Sequence, residues 1–139
     1  MRITQRLIRM TVVLAGLGLL AGLAALVFIS LRIGAEVRAV SDAAMQQHPG
    51  DRVEALLQCL ENTNHGLRER NQAVWALGQL GDQRALPTLR KHHSGGQCDH
   101  ATALCQRELA KAIRLLEGGV NVSAWLWRRS PHSRGGAAS

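Results

Sequence analysis

From Met10 to Leu31 the chain runs for 22 residues without a charged side chain, MTVVLAGLGLLAGLAALVFISL. As an α-helix rising about 1.5 Å per residue, the stretch is roughly 33 Å long, enough to cross a hydrocarbon core of about 30 Å. One domain is the ceiling for a chain of 139 residues. A cleaved signal peptide is the rival reading, but it calls for an apolar run of about 7–15 residues and a small-x-small cleavage site. This run is longer, ends Phe28-Ile29-Ser30-Leu31-Arg32, and has no cysteine beside it to carry a lipid. The pattern predicts an uncleaved transmembrane anchor over residues 10–32, after a short cytoplasmic segment over 1–9.

Arg2, Arg6 and Arg9 precede the span, while Arg32 and Arg38 follow it. Orientation follows the Lys/Arg excess, so the N-terminus is expected in the cytoplasm and the rest outside the inner membrane. Gly18 and Gly22 form a G-x-x-x-G pair that would let two anchors approach as a homodimer. The plainer account is that glycine is common in membrane helices.

The net charge of +7 is placed unevenly. Residues 1–32 carry +4, residues 33–120 balance ten bases against ten acids, and the last nineteen carry +3 from Arg128, Arg129 and Arg134. A nucleic-acid-binding domain would carry its own basic face, so no nucleic-acid partner is expected despite a pI near 11.0. Tyrosine is absent, Phe28 is the single phenylalanine, and Trp75, Trp125 and Trp127 are the other aromatics. That is too little to line an aromatic ligand pocket, and no cofactor is expected.

Beyond the anchor, the periodicity predicts an all-α domain. Residues 33–50 form a stalk or capping helix that ends near His48-Pro49-Gly50. Asp51 caps a helix over 52–61, with Val53, Leu56, Leu57 and Leu60 at i, i+3, i+4, i+7. A turn comes next, then a helix over 67–80 with Ala73, Val74, Leu77 and Leu80 inward, a shorter one over 84–92 with Pro87 in its first turn, and a last over 101–117. The tail 120–139 carries Trp125 and Trp127 beside Arg128 and Arg129. It is expected to fold back on the last helix as a cap, the alternative being a return to the lipid interface. Its last residues have the composition of a disordered end.

The segment Asn71-Gln72-Ala73-Val74-Trp75-Ala76-Leu77-Gly78-Gln79-Leu80-Gly81-Asp82-Gln83-Arg84-Ala85-Leu86-Pro87-Thr88-Leu89 resembles the HEAT-like repeat of phycobilisome lyases. There an Ala-rich helix ends Ala-Leu-Gly-x-Leu-Gly-Asp and the next begins Arg-Ala-Leu-Pro-x-Leu. Ala73, Ala76 and Gly78 would keep one helix thin, Gly81 would permit the sharp exit, and Asp82 would cap the next helix. The resemblance covers 51–92 well and 101–117 more loosely. It implies a short α-solenoid of about two helical hairpins over 51–119, serving as a protein-interaction surface. Such stacks need about three units, so the stalk and the tail are expected to close the two ends.

Between the third and fourth helices lie His92, His93, Cys98, Asp99, His100 and Cys105. Three readings stay open. A Cys98–Cys105 disulfide suits an oxidising compartment and would contribute about 2–3 kcal/mol. A zinc site of two thiolates and two imidazoles has suitable ligands, but its spacing matches no familiar motif. A polar loop with partly buried cysteines is the third. Cys59 is expected to be a small buried apolar residue, although a bridge to Cys98 or Cys105 stays open. Asn121-Val122-Ser123 matches a glycosylation acceptor. His65, His92, His93 and His100 sit in or beside predicted turns, where a solvated histidine is the default, and no catalytic arrangement is expected. The sequence reads as a membrane-anchored, non-catalytic interaction module whose partner is another protein. The alternatives are chromophore-lyase-like or chaperone-like handling of a tetrapyrrole protein, and a thiol- or metal-responsive sensor.

Overall fold

The computed structural model describes residues 2–99 and 102–128, with side chains from residue 5 onward. His100 and the segment 129–139, with Arg129 and Arg134, lie outside the described residues. Among those described, every regular element is helical: α1 (Arg2–Gln47), α2 (Arg52–Glu61), α3 (Leu67–Leu80), a 3-10 turn (Gln83–Ala85), α4 (Leu86–His92), α5 (Gln106–Leu116) and α6 (Val122–Arg128).

The segments expected as anchor and stalk form one helix. Nothing breaks α1 between residues 32 and 33, because the change there is chemical and not conformational. Below it, Leu14, Leu19, Leu20 and Phe28 are all exposed. From Ser30 onward one stripe turns inward: Ser30, Gly34, Val37, Ser41 and Ala44, at alternating steps of four and three. The two serine hydroxyls cost little there, since Ser30 Oγ donates to Leu26 O and Ser41 Oγ to Val37 O, each at 2.7 Å.

The hairpins α2/α3 and α4/α5 stack side by side, α3 against α5, and α1 covers the free side of the first. Asp51 accepts from the Val53 and Glu54 N–H groups while Glu54 reaches back to Asp51 N–H, a complete capping box. Gly81 ends α3 at φ 69°, a left-handed conformation that costs glycine nothing. Asp82 then accepts from Arg84 N–H, starting the 3-10 turn that leads into α4. Arg84 also bonds Asp51 at 2.7 Å and Asp82 at 2.9 Å, pinning the starts of successive elements together. The Glu54 N–H first, then Arg84, holds the Asp51 carboxyl below the usual carboxylate range, and Arg84 does the same for Asp82.

The expected thin helix is visible in atomic terms. A Cβ added at Gly78 would lie 2.8 Å from the Ala112 Cα on α5, so the two backbones touch. The core around this seam is Val74, Leu77, Leu89, Leu109 and Leu116, joined by Leu56 and Leu60 from α2.

Three expectations need correction. The last repeat helix begins at Gln106 instead of 101, because Cys105 stays extended and its N–H donates to Asn71 Oδ1 at 2.8 Å. Residues 84–92 are likewise not one helix, since a 3-10 turn precedes α4. The tail does form a packed element, but it rests mainly on α1 and the end of α3. Trp127 is buried on Gly34, where an added Cβ would meet its Cβ and Cγ at 2.7 Å. Arg128 donates to Gln79 O, covering a carbonyl at the end of α3. Asn121 caps α6 by accepting from Ala124 N–H and donates its amide to Gln79 at 2.9 Å, so the side chain of the glycosylation match is engaged within the fold.

Candidate functional site

The outward face of α3 carries Arg68, Gln72, Trp75 and Gln79 at helical spacing, with Trp75 half-buried at its centre. Two open grooves meet at Trp75. One, of about 610 Å³, lies between α3, Glu36 of α1, and Glu108 and Lys111 of α5; the other, of about 290 Å³, runs toward Arg114 and Val120. A third groove, of about 510 Å³, separates α3 from the stalk and is lined by Val40, Ala43, Leu56 and Cys59, with Arg68 and Glu69 at its edge. Lys111 pairs with Glu108 at 3.2 Å, so the face mixes both signs around one aromatic ring. Such a surface can dock a protein: an anchoring tryptophan ringed by polar groups is a common arrangement at binding hot spots.

The cysteines gather only partly as the sequence suggested. Cys98 and Cys105 place their sulfurs 3.2 Å apart, at thiol hydrogen-bond distance. The Arg107 N–H, near the start of α5, donates to Cys98 Sγ at 3.2 Å. That bond first, then the Cys105 contact, holds the Cys98 thiol below its ordinary range. The described residues bring neither His92 nor His93 into a shared coordination sphere with this pair, so the two-thiolate, two-imidazole zinc site is not assembled by them. His93 is exposed, whereas His92 is half-buried with Nε2 unpartnered, and burial pushes its pKa down.

A different cluster comes together, and sequence reasoning missed it. His48 at the end of α1, Cys59 on α2 and His65 in the α2–α3 turn bring their ligand-capable atoms within 4.8 Å of one another. The two Nε2 atoms are 3.0 Å apart, and His65 Nδ1 lies 2.8 Å from Glu69 Oε2. A carboxylate only accepts, so Nδ1 carries the proton and Nε2 of neutral His65 presents a lone pair toward His48. His65 is therefore held by its neighbours and is not the solvated turn residue expected of it. Cys59 is 4% exposed, as expected of a small buried residue, and burial raises its thiol pKa. The spacing His-x10-Cys-x5-His is no familiar metal signature; the one available signal was that His48 falls on the inward register of Val37, Ser41 and Ala44.

Gly18 and Gly22 face open space, with nothing within 4 Å of an added Cβ.

The family model of the PBS lyase HEAT-like repeat matches residues 69–92, from the first turn of α3 to the end of α4. The chain thus carries a HEAT-like repeat, and the match is narrower than the 51–92 span of the resemblance. No curated protein and no solved structure matches the chain.

Proposed function

We propose that this chain is a single-pass membrane protein that holds a two-hairpin HEAT-like module outside the cytoplasm, where the module binds another protein without catalysing a reaction. The observation that carries the binding role is Trp75, half-buried where two grooves meet on the repeat helix α3. The anchor reading is supported by the Leu- and Val-rich surface that α1 leaves exposed over residues 7–31, a contiguous apolar surface of the kind that marks a membrane or interaction site. It is supported also by continuity. Ser30 and Gly34 are buried parts of the fold, so cleavage near the end of the apolar run would cut a helix the domain uses.

Photo-crosslinking in native membranes tests the binding role. With the crosslinking side chain placed at Gln72 or Gln79, a discrete protein adduct should form and should be lost with Trp75→Ala. The same side chain at Lys91 on α4 should give none. Adducts of equal yield from both faces, or none from α3, would overturn the assignment of the face.

The thiol-responsive reading retains an observation of its own, the 3.2 Å Cys98–Cys105 contact under the Arg107 N–H. Closing a bridge there releases two protons and passes two electrons to a disulfide oxidant of the compartment. A mass gain of two hydrogens on reduction of the peptides spanning Cys98 and Cys105 supports it; two alkylatable thiols in protein freshly taken from membranes would exclude it.

A further inference from the structure

We propose that His48, Cys59 and His65 form a site for a borderline-soft divalent transition cation of the zinc type, with Glu69 as the carboxylate that orients His65. The inference does not depend on the docking face. Three separate elements bring one imidazole, one thiol and one imidazole to a common centre, the ligand atoms lying within 4.8 Å of one another. The donor set of two nitrogens and one sulfur suits such a cation in tetrahedral geometry.

The distances are close to those a metal needs. Two nitrogens at about 2.05 Å from a tetrahedral centre stand about 3.3 Å apart, and the Nε2 atoms here stand 3.0 Å apart. A rotation of a few tenths of an ångström opens that gap, while the Cys59 sulfur moves in to about 2.3 Å from the metal. The Glu69–His65 hydrogen bond already fixes the tautomer that leaves Nε2 free, as in carboxylate–histidine–metal arrangements. Binding deprotonates Cys59 and releases that proton to water, His48 moves its proton from Nε2 to Nδ1, and two metal–nitrogen bonds replace the His48–His65 hydrogen bond. Cys59 and Glu69 border the 510 Å³ groove, which gives a water access to the fourth position.

The consequence is mechanical. His48 is the first residue after α1, and Cys59 and His65 belong to the first hairpin. A cation held by all three ties the end of the anchor helix to the repeat domain and sets the angle at which the membrane presents it.

Cobalt(II) tests this in the full chain, purified in detergent and stripped with a chelator. One equivalent should bind, with the thiolate-to-cobalt charge-transfer band and the strong visible bands of a tetrahedral site, and zinc(II) should displace it. Zinc at a hundredfold excess over its Kd should raise the Tm of the domain by about 10 °C. Cys59→Ser should remove the charge-transfer band, and His48→Gln and His65→Gln should each weaken binding at least tenfold. The Cys98→Ser/Cys105→Ser double variant should bind as the parent does. His48 is half-buried at the helix end and outside the core, so His48→Gln keeps the test open even if a substitution at the buried Cys59 disturbs the core. The proposal is overturned by a folded parent chain with no charge-transfer band at ten equivalents, by a band that survives Cys59→Ser, or by one that disappears with the Cys98/Cys105 double variant.

Discussion

The two halves of α1 share a backbone and differ in every other respect. From Met10 to Ile29 the side chains point outward all round, and glycines 16, 18 and 22 open onto empty space. From Ser30 to Ala44 the same helix turns one narrow stripe inward, and its glycine is filled by a tryptophan ring from residues 122–128. Small residues thus play opposite parts. In the lower half they are a surface still to be covered. In the upper half, and again at Gly78, they are surfaces already covered, with a neighbouring side chain or backbone less than 3 Å from where a Cβ would sit. The helix does not have to bend or break to serve both purposes; it only changes which side chains it presents, and to what.

The largest expected effect breaks the covered side. Trp127 is 3% exposed, and Trp127→Ala leaves a cavity against Gly34 that should cost about 3–5 kcal/mol. Thermal unfolding of the full chain in micelles should show the domain melting more than 10 °C lower, while the helicity contributed by residues 10–29 persists. A shift below one degree would mean that α6 adds nothing to the fold. Next comes the α3/α5 seam. Gly78→Ala gains helix propensity, yet its methyl meets Ala112 backbone, so a net loss of about 1–3 kcal/mol is expected in chemical denaturation. A stabilised Gly78→Ala variant would show that the helices part freely and that the small residue is incidental.

How much of this is legible in the sequence depends on the range of the interactions. The bounds of α2 and α3 are legible because their ends are built locally: Asp51 with Glu54 at one, Gly81 at the other. The start of α5 is not, since the group that holds Cys105 N–H is Asn71, 34 positions upstream. The place of the tail obeys the same rule. Its tryptophans announce an apolar face, but the socket is a glycine in the first helix. Of the two titratable clusters, the Cys98–Cys105 pair is separated by one loop and can be paired from sequence, though His92 and His93 do not join it. The His48–Cys59–His65 group is assembled by the fold of three elements, and no spacing rule describes it.

A smaller effect separates the halves by charge. Residues 1–32 hold no acid, whereas Asp51 and Asp82 bind Arg84 and have carboxyls depressed below the usual carboxylate range. The folded state therefore takes up these protons later than the unfolded one. Their contribution is complete above about pH 4 and fades as pH falls through and below that value. Arg84→Gln should flatten this acid limb in pH-dependent melting by lowering the Tm slightly at neutral pH and leaving it unchanged in acid, the loss being small because the partners are largely solvent-exposed. An acid limb of undiminished slope would place the responsible carboxylates elsewhere, with Glu61–Lys91 and Glu117–Arg90 the next pairs to vary.

The smallest effect on the domain should come from the uncovered side. Gly18→Leu and Gly22→Leu place large side chains where nothing lies within 4 Å, so the melting of the repeat domain should stay within one degree of the parent. The same substitutions ask whether the open stripe has an occupant of its own. If two anchors meet along G-x-x-x-G, their backbones approach too closely for leucine, and chemical crosslinking in micelles should lose its dimer band with either variant. A parent chain that crosslinks as a monomer, or a dimer indifferent to both leucines, would exclude a second copy along that face. Gly78 supplies the contrast. One residue type should be intolerant of a methyl group where its neighbour belongs to the same chain, and intolerant of leucine only through association if its neighbour is a second copy. Stability and dimerisation, measured on the same variants, then separate the two kinds of covered surface.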